Sequence, residues 1–121
     1  MPKKVLVCDD EMYILESVAY VVRQEGYTVL TAEDGEESLR LARQEKPDLV
    51  LLDIMMPKRS GLEVCRELKS DPQTQSAYVI LLTARGQERD MDEGYQSGAD
   101  EYMTKPFSPR DLRKKLHELL D

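Results

Sequence analysis

Four positions in this sequence carry groups that could do chemistry together, and each lies at the exit of a strand-like segment. Asp53 closes the run Leu49, Val50, Leu51, Leu52, and Asp9, Asp10 and Glu11 follow Val5–Cys8. Thr83 closes the run from Val79 to Leu82, and Lys105 follows Glu101–Thr104. Clustered carboxylates repel one another unless a cation sits among them. Hard oxygen donors on a shallow edge suit Mg2+, which takes one or two carboxylates and keeps waters and phosphate oxygens. A lysine adds a mobile point charge for a carboxylate or a phosphoryl oxygen, and a threonine adds a hydroxyl donor. Carboxylate, divalent cation, lysine and hydroxyl form a set able to accept a phosphoryl group on the carboxylate, with the cations neutralising charge spread over the phosphoryl oxygens. Taken singly the residues are bland: Asp10 reads as a helix cap, Lys105 as a surface lysine and Thr83 as a turn residue. Their joint placement at strand exits is what carries the reading.

Such a set meets only if the supporting elements share one sheet edge. The segments 5–8, 28–32, 49–53, 78–83 and 101–104 read as strands, the second rich in β-branched residues at its start, the fifth short, and three carrying near-continuous apolar runs that fit burial on both faces. Between them lie amphipathic stretches. Ile14, Leu15, Val18, Ala19 and Val22 repeat at helical spacing after Asp10 or Glu11, with Gly26 as the stop. Asp34 with Glu37, and Ser60 with Glu63, form capping-box patterns, and Lys46-Pro47 ends the second helix. Leu62, Cys65 and Leu68 define one face of the third helix, and "SDPQTQS" after it reads as a polar loop. A weakly apolar helix is predicted over Arg89–Ser97, stopped by Gly98. Ser108-Pro109 with Asp111 opens the last helix, which carries Leu112, Leu116, Leu119 and Leu120. Five strand-helix units imply an α/β fold, a five-stranded parallel sheet doubly wound by helices on both faces, and in a parallel sheet all strand exits share one edge.

The whole chain, 1–121, reads as one domain. A net charge of −7 disfavours direct, non-specific nucleic-acid binding. No apolar stretch approaches the roughly 18 residues of a membrane span, and the N-terminus does not resemble a signal peptide, so a cytoplasmic location is expected. Cys8 and Cys65 read as reduced, buried residues without the spacing of a zinc site, and His117 reads as a surface histidine.

The segments "DDE", "LLDIMMP", "LLTAR" and "GADEYMTKPF" together resemble the receiver domain of bacterial two-component response regulators, from about Lys4 to Leu120. The resemblance implies a flavodoxin-like (βα)5 sheet of order 2-1-3-4-5, as in the chemotaxis regulators. It also implies a phosphorylation-activated signalling switch rather than a turnover enzyme. Asp53 would be the phosphoacceptor, served by a histidine kinase or a phosphotransfer protein. Mg2+, or Mn2+, would be held by Asp10 directly, by Asp9 mainly through water, by Asp53 and by the Met55 backbone carbonyl. Lys105 would pair with the phosphoryl group, Thr83 would hydrogen-bond it, and the shift of Thr83 would let Tyr102 rotate inward. The Lys105-Pro106 peptide is expected to be cis. Met55 and Arg85 occupy the positions that tune phosphoryl lifetime; Met55 cannot orient an attacking water, so slow self-dephosphorylation is expected. The partner-specific surface would comprise the predicted fourth helix, the fifth strand and the last helix. "TARGQERDMDEGYQSGADEYMTKPFSPRDL" looks most like DNA-binding regulators that dimerise through that surface, with Asp100, Glu101, Asp111, Lys114 and Lys115 in the charge network, although Met91 stands where a basic residue would help.

Three rivals compete. A flavin-binding electron carrier of the same topology needs a hydroxyl- and glycine-rich first loop, whereas "CDDEMY" would repel a phosphate. A haloacid-dehalogenase-type phosphatase needs a second aspartate where Met55 stands. An inert structural domain would not need the acid pair, acceptor, threonine and lysine together.

Overall fold

The computed structural model describes residues 2–84, 96–105 and 107–121. Five strands, β1 (Lys4–Cys8), β2 (Thr28–Ala32), β3 (Leu49–Asp53), β4 (Tyr78–Ala84) and β5 (Glu101–Lys105), form one parallel sheet of order β2-β1-β3-β4-β5. Four helices are described: α1 (Met12–Gln24), α2 (Gly35–Glu45), α3 (Gly61–Ser70) and α4 (Pro109–Leu120).

The period of two along a strand explains why the central runs are apolar throughout. Leu6, Cys8, Val50, Leu52, Val79 and Leu81 point into one core layer with α2 and α3 residues such as Leu39, Val64 and Leu68. Val5, Val7, Leu49, Leu51, Ile80 and Leu82 point into the other, with Leu15, Val18 and Val22 of α1 and Leu112 and Leu116 of α4. These strand residues are all completely buried, each leucine contributing about 2 kcal/mol by leaving water. The edge strands β2 and β5 are only partly buried, which matches their more mixed sequences.

Helix starts follow local chemistry. The carboxylate of Asp34 accepts from the Glu37 N–H at 2.8 Å, Ser60 Oγ from Glu63 at 3.2 Å and Ser108 Oγ from Asp111 at 3.0 Å. Pro109 takes the first position of α4, where a missing N–H costs nothing. Gly98 has φ +97°, the left-handed value expected of a stop.

Several details depart from the sequence reading. β4 and β5 each run one residue further, so Ala84 and Lys105 belong to the strands. Val64 joins Cys65 and Leu68 as a buried residue of α3, whereas Leu62 is only half-buried. The polar segment after α3 is a series of turns. Thr74 within it is buried because its hydroxyl donates to the Leu68 carbonyl at 2.8 Å and closes the helix end. Neither Asp10 nor Glu11 caps α1 through its side chain. The helix predicted over Arg89–Ser97 falls largely outside the described residues, as do Arg85, Met91 and Pro106 and hence the Lys105-Pro106 peptide.

Candidate functional site

The register of the sheet brings the strand exits together. Cys8 pairs with Leu52, Asp53 with Leu82, Thr83 with Thr104 and Ala84 with Lys105, so Asp9, Asp53, Thr83 and Lys105 arrive at one edge. Asp9, Asp10 and Asp53 each offer a carboxylate oxygen, and these oxygens lie within 4.8 Å of one another. Among the described residues no other group of three histidine, cysteine or acidic side chains is so placed.

The three acids are held differently. Asp9 is completely buried, and its two oxygens are engaged: Oδ1 accepts from the Glu11 N–H at 3.0 Å and Oδ2 from Lys105 Nζ at 3.2 Å. Asp53 is also buried, and its Oδ1 lies 3.3 Å from the same ammonium. Asp10 is exposed and serves no helix cap, which leaves its carboxylate facing the opening. Hard carboxylate oxygens of mixed burial at this spacing are the donor set a small divalent cation takes, with water completing the shell.

The electrostatics follow from this crowding. Burial, then the charge of Asp9, pushes the Asp53 carboxyl up to about 6, although Lys105 and the Met55 N–H both pull it down. Burial works against the Lys105 ammonium, but the charges of Asp53 and Asp9 outweigh it and hold the group above the usual lysine range. Both residues are therefore tuned by each other, and an added cation would relieve the repulsion that raises Asp53.

Around the acids lies a cavity of about 560 Å³, walled by Asp10, Asp53, Met55, Ala84 and Lys105 and by apolar groups of α1 and α4 that include Ile14, Val18 and Leu112. Met55 is 61% exposed, its side chain turned out between the buried Ile54 and Met56. The Thr83 hydroxyl is buried and donates to the Ala84 carbonyl at 3.1 Å. Tyr102, opposite Leu81 in the sheet, is half-buried and packs against the α2/α3 core layer. All the predicted site residues that the structure describes thus lie on or next to this edge, apart from Tyr102, which stands further down β5.

Sequence reasoning missed the double engagement of Lys105 and the pinning of Asp9 by a backbone N–H. It also missed a polar cluster far from the acids. His117 is exposed, yet its Nε2 lies 2.7 Å from Glu25 Oε1 and its Nδ1 2.5 Å from Asp121 Oδ2, with the Tyr27 hydroxyl donating to Asp121 Oδ1 at 2.6 Å. His117 and Asp121 stand at a local i, i+4 spacing, but Glu25 and Tyr27 lie 92 and 94 positions from their partners and leave no local signal. Both cysteines are free and buried, as expected, and burial pushes the Cys8 thiol up to about 12.

A doubly wound parallel sheet of order 2-1-3-4-5, with three carboxylates at the exits of its central strands and a lysine at the exit of the edge strand β5, is the architecture of a receiver-type signalling domain. The chain belongs to the response regulator receiver domain family, whose pattern residues 5–117 match. It is 47% identical over 120 residues to the alkaline phosphatase synthesis transcriptional regulatory protein PhoP of Bacillus subtilis, covering 99% of this chain and 49% of that one. It is 39% identical to the phosphate regulon transcriptional regulatory protein PhoB of Escherichia coli, covering 99% and 52%. The chain therefore spans about half the length of these relatives. Among solved structures, the chemotaxis response regulator CheY4 of Vibrio cholerae superposes with a TM-score of 0.92 at 32% identity, covering 99% of this chain and all of that one. No helix among the described residues is long and apolar enough to cross a membrane.

Proposed function

We propose that this domain is a switch thrown by phosphorylation of Asp53, with a sensor histidine kinase or a phosphotransfer protein as donor. The observation that carries the reading is the single Lys105 ammonium shared by two buried carboxylates, with a third, uncapped carboxylate beside them. An Asp53 oxygen attacks the phosphorus of a phosphohistidine, the P–N bond breaks, and the imidazole leaves with its electron pair to take up a proton. Mg2+, or Mn2+, when bound by Asp10, Asp53, the Met55 carbonyl and, through water, Asp9, supplies positive charge for the phosphoryl oxygens. Lys105 exchanges its carboxylate partner for a phosphoryl oxygen, and Thr83 turns its hydroxyl from the Ala84 carbonyl to another.

The modification replaces the single charge of a carboxylate by a phosphoryl group carrying roughly −1.5 to −2, a net gain of up to about one negative charge at one point of the edge. Movement of Thr83 leaves room for Tyr102, and the surface around β5 and α4 changes its partner preference. The domain acts on itself and not on a turned-over substrate. Met55 offers no hydrogen bond to an attacking water, which supports a long phosphoryl lifetime, with Arg85 as the second tuning position. The relatives' names describe transcriptional regulators, which favours a DNA-binding output in the longer protein and phosphorylation-dependent pairing of two copies across the β5/α4 surface. A cytoplasmic location follows from this role.

Acetyl phosphate with Mg2+ should label the protein on Asp53, and Asp53→Asn should remain unlabelled by intact-mass measurement. Undiminished labelling of the Asn variant would overturn the assignment. Sedimentation with and without beryllofluoride and Mg2+ reads the pairing, and a monomer under both conditions would remove it.

A further inference from the structure

The loop that follows Asp53 is tied to its surroundings by backbone hydrogen bonds. The Ile54 N–H donates to the Leu82 carbonyl at 3.2 Å, and the Gly61 N–H donates to the Ile54 carbonyl at 2.9 Å. With Ile54 and Met56 buried, Met55 between them is presented at the acid pocket. The next turn is closed by the Pro57 carbonyl, which accepts from the Arg59 N–H at 2.8 Å and, from another element, from the Gly35 N–H at 3.3 Å. Lys58 in this turn takes a left-handed φ of +69°, and its ammonium lies 3.6 Å from the carboxylate of Asp34, the cap of α2.

Gly35 is the first residue of α2. It needs no positive φ, and alanine is intrinsically the better helix former there. What excludes a side chain is the loop. A Cβ on Gly35 would lie 2.8 Å from the carbonyl carbon of Arg59 and nearer still to its oxygen and Cβ. Backbone atoms cannot rotate out of the way as the end of a flexible side chain can. The chain therefore forgoes helix propensity to let α2 press on the turn of residues 57–59, and that turn is one end of the segment that carries Met55.

We propose that Gly35 is a positioning residue for the phosphoacceptor loop, its bare Cα fixing the Pro57–Arg59 turn and, through it, the placement of Met55 at the acid pocket. This rests on the receiver reading above. Metal affinity is the direct readout, because a displaced Met55 alters the cation site whether or not phosphorylation is measured.

The test is Gly35→Ala, with Mg2+ binding followed by titration calorimetry and Tm measured on the same samples. Mg2+ binding should weaken by about 10-fold, the scale on which groups behind a metal's ligands act. Gly26→Ala is the control: Gly26 has φ +92° and nothing within 4 Å of a built Cβ, so alanine there strains the backbone far from the loop. It should lower Tm and leave Mg2+ affinity unchanged. Equal Mg2+ affinity in Gly35→Ala and the parent protein overturns the proposal. A parent protein that binds no Mg2+ overturns the receiver reading and this inference with it. Should Gly35→Ala fail to fold, Lys58→Gly loosens the same turn without a clash; a severalfold loss of Mg2+ affinity supports the proposal and an unchanged affinity overturns it.

Discussion

Lys105 holds its ammonium 3.3 Å from Oδ1 of Asp53, and the same ammonium lies 3.2 Å from Asp9. One cation thus serves two buried carboxylates, which leaves negative charge in excess at the edge. The pH behaviour of the fold follows from that burial first and from that excess second.

Without metal, Asp53 is pushed up from 3.8 to about 6, by burial first and then by Asp9. In the unfolded chain the same carboxyl ionises near the lower value. The folded state therefore binds the proton more tightly. The contribution of Asp53 to stability is fully present below about pH 3.8, is lost as pH rises toward 6, and stays lost above. A shift of this size corresponds to about 3 kcal/mol. Asp53→Asn keeps the shape of the protonated acid, so in EDTA at pH 7.5 it is expected to stabilise the fold by about 2–3 kcal/mol. At pH 4 the gain should nearly vanish. Urea denaturation at the two pH values checks this, and a destabilised Asn variant at pH 7.5 would show that Lys105 already offsets the burial.

Lys105→Met removes the only positive side chain seen within salt-bridge distance of Asp9 or Asp53 among the described residues. Breaking such a buried pair from one side is expected to cost about 3 kcal/mol in metal-free protein at neutral pH. The Asp53 carboxyl should rise further, which NMR of its side-chain carbon would detect. A drop below 6 on loss of the lysine would contradict the charge assignment.

His117 is the sole histidine, so its ring gives one resolved titration. Hydrogen bonds to Glu25 and then to Asp121 raise it above 6.5, because both partners favour the imidazolium. Its stabilising contribution is complete below pH 6.5 and fades as pH climbs through the higher folded value. Glu25→Gln should return the midpoint toward 6.5 in a proton NMR titration. A midpoint unmoved by that substitution would mean that the cluster does not persist in solution.

Ser108→Ala removes the hydroxyl that accepts the Asp111 N–H at 3.0 Å at the start of α4. The expected loss is about 1 kcal/mol, with faster amide exchange confined to the first turn of that helix. The carboxylate cluster should keep its Mg2+ affinity, since the cap supports a helix and not the sheet edge.

The fold was legible wherever burial on both faces forced a continuous apolar run, as at Leu49–Leu52 and Val79–Leu82. Helix starts were legible where Asp34, Ser60 and Ser108 cap by local hydrogen bonds. Strand order was not, because nothing in the sequence of β2 says that it pairs with β1 and not with β3; that came from the family resemblance. The site residues were legible as strand exits, and a parallel sheet then had to unite them. Their individual states were not. Asp9 and Asp10 are neighbours of the same type, yet one is buried against Lys105 and the other faces the opening. The Glu25–His117–Asp121 cluster joins the end of α1 to the end of α4; helical spacing offers the His117–Asp121 pair, but nothing local points from His117 to Glu25.

The salt bridge from Lys105 to Asp9 spans 96 positions of the chain. During synthesis Asp9, Asp10 and Asp53 all leave the ribosome before Lys105 is made, Asp53 by roughly 3–10 s at ordinary elongation rates. Until β5 is made, the acids at the exits of β1 and β3 have no Lys105 to meet them. The fifth strand of this sheet thus supplies the counter-charge for the exit of its first, so the electrostatic balance of the acid edge depends on two segments from opposite ends of the sheet's sequence.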